Sequence, residues 1–184
     1  GTPARHPDRL AAMSEVLVFD PTRRHNGDLI AHAAQIGWLP EPVFDATYGL
    51  GRFWSEYKPE TLVTNDLFTE ADNDWDWRCP VHEHSASLGS FGTVVFDPPF
   101  KEQGTPSTSY HTMNKGYGVD VARTKSDLHT LLSTGAINCA DLVRPGGFLL
   151  IKCMDQIVCG RFTSQTAMFR EVIEALPGWA FESW

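Results

Sequence analysis

Thr93-Val94-Val95-Phe96-Asp97-Pro98-Pro99-Phe100 carries the residues best suited to chemistry. Four apolar or β-branched residues read as a buried strand. An acid follows at its carboxyl end, and two prolines stop further pairing. In an open α/β sheet that edge is where ligands bind. A carboxylate, a proline carbonyl and a flat ring in one rigid turn can grip a planar amine. The acid and carbonyl would accept its hydrogens while the ring stacks on its face. The alternative is a strand ending in a stiff turn, with Asp97 only capping Pro98 and Pro99.

A second stretch, Val43-Phe44-Asp45-Ala46-Thr47-Tyr48-Gly49-Leu50-Gly51-Arg52-Phe53-Trp54, reads as a strand, an acid and a glycine-rich turn. Gly49 and Gly51 allow positive φ and close approach of a ligand to the backbone. Trp54 stands where the dinucleotide G-x-G-x-x-G pattern needs a small residue, so the G-x-G alone discriminates little. Thr61 to Leu67 reads as the next strand. Asp66 lies 21 positions after Asp45 (66 minus 45), where an acid can grip a ribose diol. The alternative is a surface acid in a turn.

The remaining elements must position these groups. At 184 residues the chain has the size of one domain, taken here as residues 1–184. Its 42% hydrophobic and 21% charged residues are ordinary for a soluble globular protein, with no apolar run of membrane-spanning length and no signal-peptide pattern. Cys79, Cys139, Cys153 and Cys159 show no framework spacing, which suits reduced thiols in the cytoplasm. A net charge of −8 argues against a broad electrostatic grip on a polyanion, so a nucleic acid would be held by local basic patches or through a partner.

Residues 1–28 read as an N-terminal arm with a helix, ending in a turn-rich loop. Apolar spacing predicts helices over 29–36, 128–143 and 163–176, the last capped by Thr163 or Ser164. Strands are expected at 84–88, 148–153 and 179–184, with Arg144-Pro145-Gly146-Gly147 as the turn into the second of these. Residues 101–119 read as a long mobile loop, either a substrate lid or plain disorder, with Lys101, Tyr110, Lys115 and Tyr117 as its binding candidates. Cys79, His82 and His84 are metal-ligand types without a fourth ligand at a usual spacing, so no metal is expected. The β-α alternation implies a mostly parallel sheet with helices on both faces.

Taken in order, residues 45–54, Asn65-Asp66, Asp-Pro-Pro-Phe (97–100) and Arg-Pro-Gly-Gly (144–147) resemble S-adenosylmethionine-dependent amino-methyltransferases. The nearest likeness is to bacterial and phage DNA N6-adenine/N4-cytosine enzymes, and it runs from about residue 19 to the end. The resemblance implies a Rossmann-like, doubly wound sheet. It sets the cofactor's amino-acid part against Asp45, Ala46, Thr47, Gly49 and Gly51, and its ribose on Asp66. The loop before the first strand (His25, Asn26, Asp28) would also touch the cofactor. Asp97 and Pro98 would hold the target amine, with Pro99 stiffening the turn and Phe100 stacking on the base.

Four features depart from the family pattern. No acid answers the adenine-binding one near the third strand. Phe100 stands where Tyr is commoner in the DNA enzymes. A target-recognition domain is missing, and the final hairpin is incomplete. Cys79 precedes Pro80 rather than following a proline, which argues against the thiol route to cytosine C5. The function implied is methyl transfer to a base amine, N6 of adenine in DNA foremost. The rivals are an RNA base-amine methyltransferase and an inactive cofactor-binding subunit whose partner supplies target recognition.

Overall fold

The computed structural model describes residues 25–84, 88–99, 125–158 and 160–181. Residues 1–24 of the expected arm (1–28), the loop at 101–119, Phe100 and the end of the chain (182–184) lie outside them, whereas the arm's last residues, from Asn26, already belong to the first helix. Four strands build one sheet: β1 (Val43–Asp45), β2 (Leu62–Thr64), β3 (Phe91–Phe96) and β4 (Val143–Ile151). Their order is β2-β1-β3-β4, and every neighbouring pair is parallel. From β1 the chain steps outward to β2, then returns to lay β3 on the opposite side of β1. The order therefore reverses between β1 and β3, and the crevice outside their carboxyl ends is where such sheets bind ligands. Asp45 ends β1 and Asp97 follows β3, so both acids stand at that reversal.

Side-chain alternation along the strands feeds two separate cores. Phe44, Val94 and Phe96 face one side, where they meet α2 (Lys125–Ala140) and α3 (Gln165–Glu174). Val43 and Val95 face the other, where they meet α1 (Asn26–Gln35) and the 3₁₀ turn Arg52–Trp54. Helices cover both faces, as the alternation of elements implies. The stripe Leu128, Leu132, Ala136 and Cys139 seats α2 on the sheet. Ser164 caps α3 by accepting the Ala167 N–H at 3.0 Å. Gly37, at φ 79°, ends α1 in the left-handed conformation. Among the described residues no helix is long and apolar enough to cross a membrane.

Several boundaries differ from the sequence expectation, each for a visible reason. Helix α2 stops at Ala140 because Val143 is drawn into the sheet opposite Phe91. Arg144-Pro145-Gly146-Gly147 lies inside β4 as a bulge rather than before it. Phe91 faces Val143 and Thr93 faces Phe148, so a two-residue step on β3 spans five on β4. Gly146, at φ 77°, supplies the left-handed residue the bulge needs.

The strand expected at 84–88 lies largely outside the described residues, which leave out 85–87. Before it Val81–Glu83 is a 3₁₀ turn, and after it Leu88 enters the core. An isolated parallel bridge between Asn65 and Asn73 flanks the β2 edge. Trp75 and Trp77 are core residues held by the buried Asn65 and Asn138. Asn65 donates to Trp75 O and accepts Trp75 N–H, while Asn138 donates to Trp77 O. Trp179 and Phe181 pack on the core, and the described part of 179–184 forms no strand. A small antiparallel hairpin, β5 (Gln156–Val158) with β6 (Arg161–Thr163), joins β4 to α3 where the sequence predicts no strand.

Gly92 lets the 40–42 segment lie against β3. Its N–H donates to Pro42 O at 2.9 Å, and an added Cβ would run into the Pro40 carbonyl oxygen. Because that obstacle is backbone, it cannot swing away. Gly92→Ala is expected to cost about 1–3 kcal/mol, measured as a lower denaturant midpoint with an unchanged slope.

Candidate active site

Asp97 is joined to the glycine turn directly. Its backbone N–H donates to Thr47 Oγ1 at 2.7 Å, across fifty positions of sequence. The Ala46 N–H donates to Val95 O at 2.9 Å and carries the β1–β3 pairing up to the same point. The turn after β1 and the Asp-Pro-Pro turn after β3 are thus one hydrogen-bonded unit at the sheet's reversal. Pro98 is buried and Pro99 half-buried beside them.

Asp45 and Asp66 both brace the glycine turn, in different ways. Asp45 is completely buried. Its Oδ1 accepts the Thr47 N–H at 3.0 Å and its Oδ2 accepts the Trp54 indole N–H at 2.7 Å. Burial pushes its carboxyl up to about 7, against the pull of those two donors, with Asp97 and Asp66 adding repulsion. Asp45 therefore holds the turn shut around itself and shows no oxygen to solvent.

Asp66 is half-buried. Its Oδ1 accepts Phe68 N–H and Thr69 N–H, both at 2.8 Å, and its Oδ2 accepts Gly49 N–H at 3.0 Å. The Thr69 hydroxyl returns a bond to Gly49 O at 3.0 Å. Engaged by that single backbone donor among the described residues, Oδ2 keeps capacity for another. Gly49 and Gly51 both have positive φ, 55° and 67°. A Cβ on Gly49 would meet only Thr47 O at 3.9 Å, whereas one on Gly51 would strike the Tyr48 ring.

Lys152, one residue past β4, is absent from the candidates that the sequence alone suggests, yet its Nζ lies 3.0 Å from Asp97 Oδ2. The same ammonium lies 5.5 Å from the centre of the Phe53 ring, on the 3₁₀ turn that follows Gly51. Burial raises the Asp97 carboxyl above its ordinary range, and the Lys152 charge and hydrogen bond hold it back. Among the described residues no donor reaches Asp97 Oδ1. A lone charged residue closing the apolar run Phe148–Ile151, on the strand beside β3, is the signal that could have found Lys152.

His25, Asn26 and Asp28 sit at the start of α1. Gly27, buried between them, leaves no room for a Cβ beside Ser55 and Glu56, so this helix end abuts the segment after the glycine turn. Lys101, Tyr110, Lys115 and Tyr117 lie outside the described residues, as does Phe100. Among the described residues no three His, Cys, Asp or Glu side chains come together as a metal site, and Cys79, His82 and His84 form none. No protein-family model, curated protein or solved structure matches the chain.

Proposed function

We propose that the chain is an S-adenosylmethionine-dependent methyltransferase acting on the exocyclic amine of a nucleic-acid base, N6 of adenine in DNA foremost. One observation carries this reading. The 2.7 Å bond from Asp97 N–H to Thr47 Oγ1 locks an acid-proline-proline turn to a glycine turn at the reversal of a parallel sheet. On this reading the amine-gripping group and the ligand-approach surface are neighbours.

The residues present fit such a cofactor in part. Asp66 Oδ2 retains acceptor capacity for a ribose hydroxyl, and the space over Gly49 is open to a ligand. Thr47, Gly49, Gly51 and Asp66 would hold it. Asp45 supports the turn from beneath, since both its oxygens are taken inside the protein. When bound, the cofactor supplies an electrophilic methyl on a sulfonium.

The protein's own contribution is positioning. A base amine is a poor nucleophile because its lone pair is delocalised into the ring. Accepting its two N–H groups on Asp97 and on the Pro98 carbonyl favours the pyramidal amine and turns the lone pair outward. Fixing nucleophile and donor in line removes most of the entropic barrier. The carboxylate also stands where positive charge develops on nitrogen. A target inside duplex DNA must first leave the stack, at about a few kcal/mol.

Isothermal calorimetry with S-adenosylmethionine, followed by labelled-methyl transfer to DNA, RNA and protein extracts, tests the proposal. Binding and transfer to DNA are expected. Transfer to RNA alone would reassign the substrate. Binding without transfer to any of them would point to a supporting subunit, and absence of binding would overturn the reading.

A further inference from the structure

We infer that Lys152 sets the charge of the amine site, so that Asp97 receives a neutral planar amine and rejects an alkylammonium. The inference rests on the reading of Asp97 as the group that holds the target amine.

A carboxylate alone at the end of a strand is a cation site. It would hold a lysine side chain or a polyamine more strongly than a neutral base, because attraction between opposite full charges adds to the hydrogen bond. Here the cation is built in. Lys152 Nζ lies 3.0 Å from Asp97 Oδ2, with the two side chains 32% and 16% exposed, so water screens the pair only in part. Its position is fixed from a second side by the Phe53 ring at 5.5 Å. The pair sums to zero charge. Among the described residues Oδ1 has no donor, so one acceptor remains to take an N–H from a neutral amine. A second ammonium at Oδ1 would meet the Lys152 charge.

Among the described residues the charged group acting on Asp97 is Lys152, just past β4, which stabilises the carboxylate. That carboxylate in turn disfavours ionisation of Asp45 at the end of β1. Burial opposes ionisation throughout. Removing Lys152 therefore moves the Asp97 carboxyl further up. Asp97 then becomes a full acceptor only at higher pH, and the activity profile moves the same way.

The test compares the wild type, Lys152→Met and Lys152→Arg over pH 6–9, with n-butylammonium as the competing cation. Lys152→Met is expected to transfer methyl more slowly than the wild type, by about tenfold where Asp97 is protonated in both proteins, with the gap closing as pH rises. It should recover toward pH 9 and become inhibited by n-butylammonium, which leaves the wild type untouched. Lys152→Arg keeps the charge and should restore both the profile and the resistance. A purely structural role for Lys152 would lower the rate equally at every pH and confer no sensitivity to the cation, and that outcome overturns the inference.

NMR titration of the Asp97 side-chain carboxyl separates this failure from failure of the amine-methylation reading, because it needs no turnover. Its midpoint should rise in Lys152→Met even if no substrate is methylated. An unchanged midpoint sinks the inference by itself.

Discussion

Asp97→Ala is expected to slow methyl transfer by about 10²–10³-fold while the affinity for S-adenosylmethionine stays within about twofold of the wild type. The separation follows from where each atom of Asp97 is used. Its backbone N–H, which any residue but proline supplies, makes the 2.7 Å bond to Thr47 and keeps the glycine turn in place. Its carboxylate makes no bond to that turn and is paired with Lys152 instead. Deleting the side chain thus removes the acceptor for the amine and spares the ligand-approach surface. Losing one preorganised partner of a developing charge costs about 10²–10³-fold in rate.

Asp97→Asn is the more discriminating variant. The amide keeps an acceptor oxygen of the same shape but no charge, and the Lys152 ammonium then faces a neutral group. Transfer by the Asp97→Asn protein should exceed that of the alanine variant and stay well below the wild type. Single-turnover transfer with saturating cofactor, beside calorimetry, reads both quantities. An alanine variant that keeps its rate would remove Asp97 from the chemistry.

The two strand-acid-turn stretches are legible in the sequence because local rules agree there. Apolar runs predict β1 and β3, and the glycines and prolines after them predict where pairing stops. The parallel sheet with helices on both faces follows from the alternation of elements. What local rules do not contain is contact between distant positions. Trp75 and Trp77 sit among acids in sequence and read as loop. Their backbone groups are satisfied inside the core by Asn65, ten positions before Trp75, and by Asn138, sixty-one positions after Trp77.

The β4 bulge has the same origin. Arg-Pro-Gly-Gly signals a turn in any single-sequence reading, and only the partner strand shows that it interrupts a ladder. In the site, residue types are visible in the sequence but pairings are not. Lys152 reads as the polar end of a strand, and nothing local to it announces Asp97, fifty-five positions away. Asp45 reads as an acid facing a ligand. The fold turns it inward, because the Trp54 indole, nine positions later in the chain, is the donor that reaches it.

That inward turn makes Trp54→Phe the largest stability change expected in the site. Trp54 Nε1 is the donor on Oδ2 of an acid with no solvent exposure, at 2.7 Å. A hydrogen bond to a charged group contributes about 1.5–3 kcal/mol, and the smaller phenyl also leaves a void beside Val43 and Val95. Together these put the loss at about 2–4 kcal/mol at pH 8.

The pH dependence identifies the cause. The carboxyl of Asp45 titrates near its ordinary 3.8 when unfolded and at about 7 when folded. Between those values the folded state binds the extra proton, so this group's contribution to stability falls as pH rises from about 4 to about 7 and is flat above. Removing the indole donor disfavours the ionised form further, so in Trp54→Phe the decline continues to higher pH. The deficit relative to the wild type should be smaller at pH 5, where Asp45 is protonated in both folded proteins, and larger at pH 8. Val95→Ala, which removes packing from the same core and no side-chain hydrogen bond, should show a deficit independent of pH. Urea midpoints of the three proteins at pH 5, 6.5 and 8 decide the matter. A Trp54→Phe deficit as flat as that of Val95→Ala would mean that the indole only fills space and that the glycine turn is held by other means.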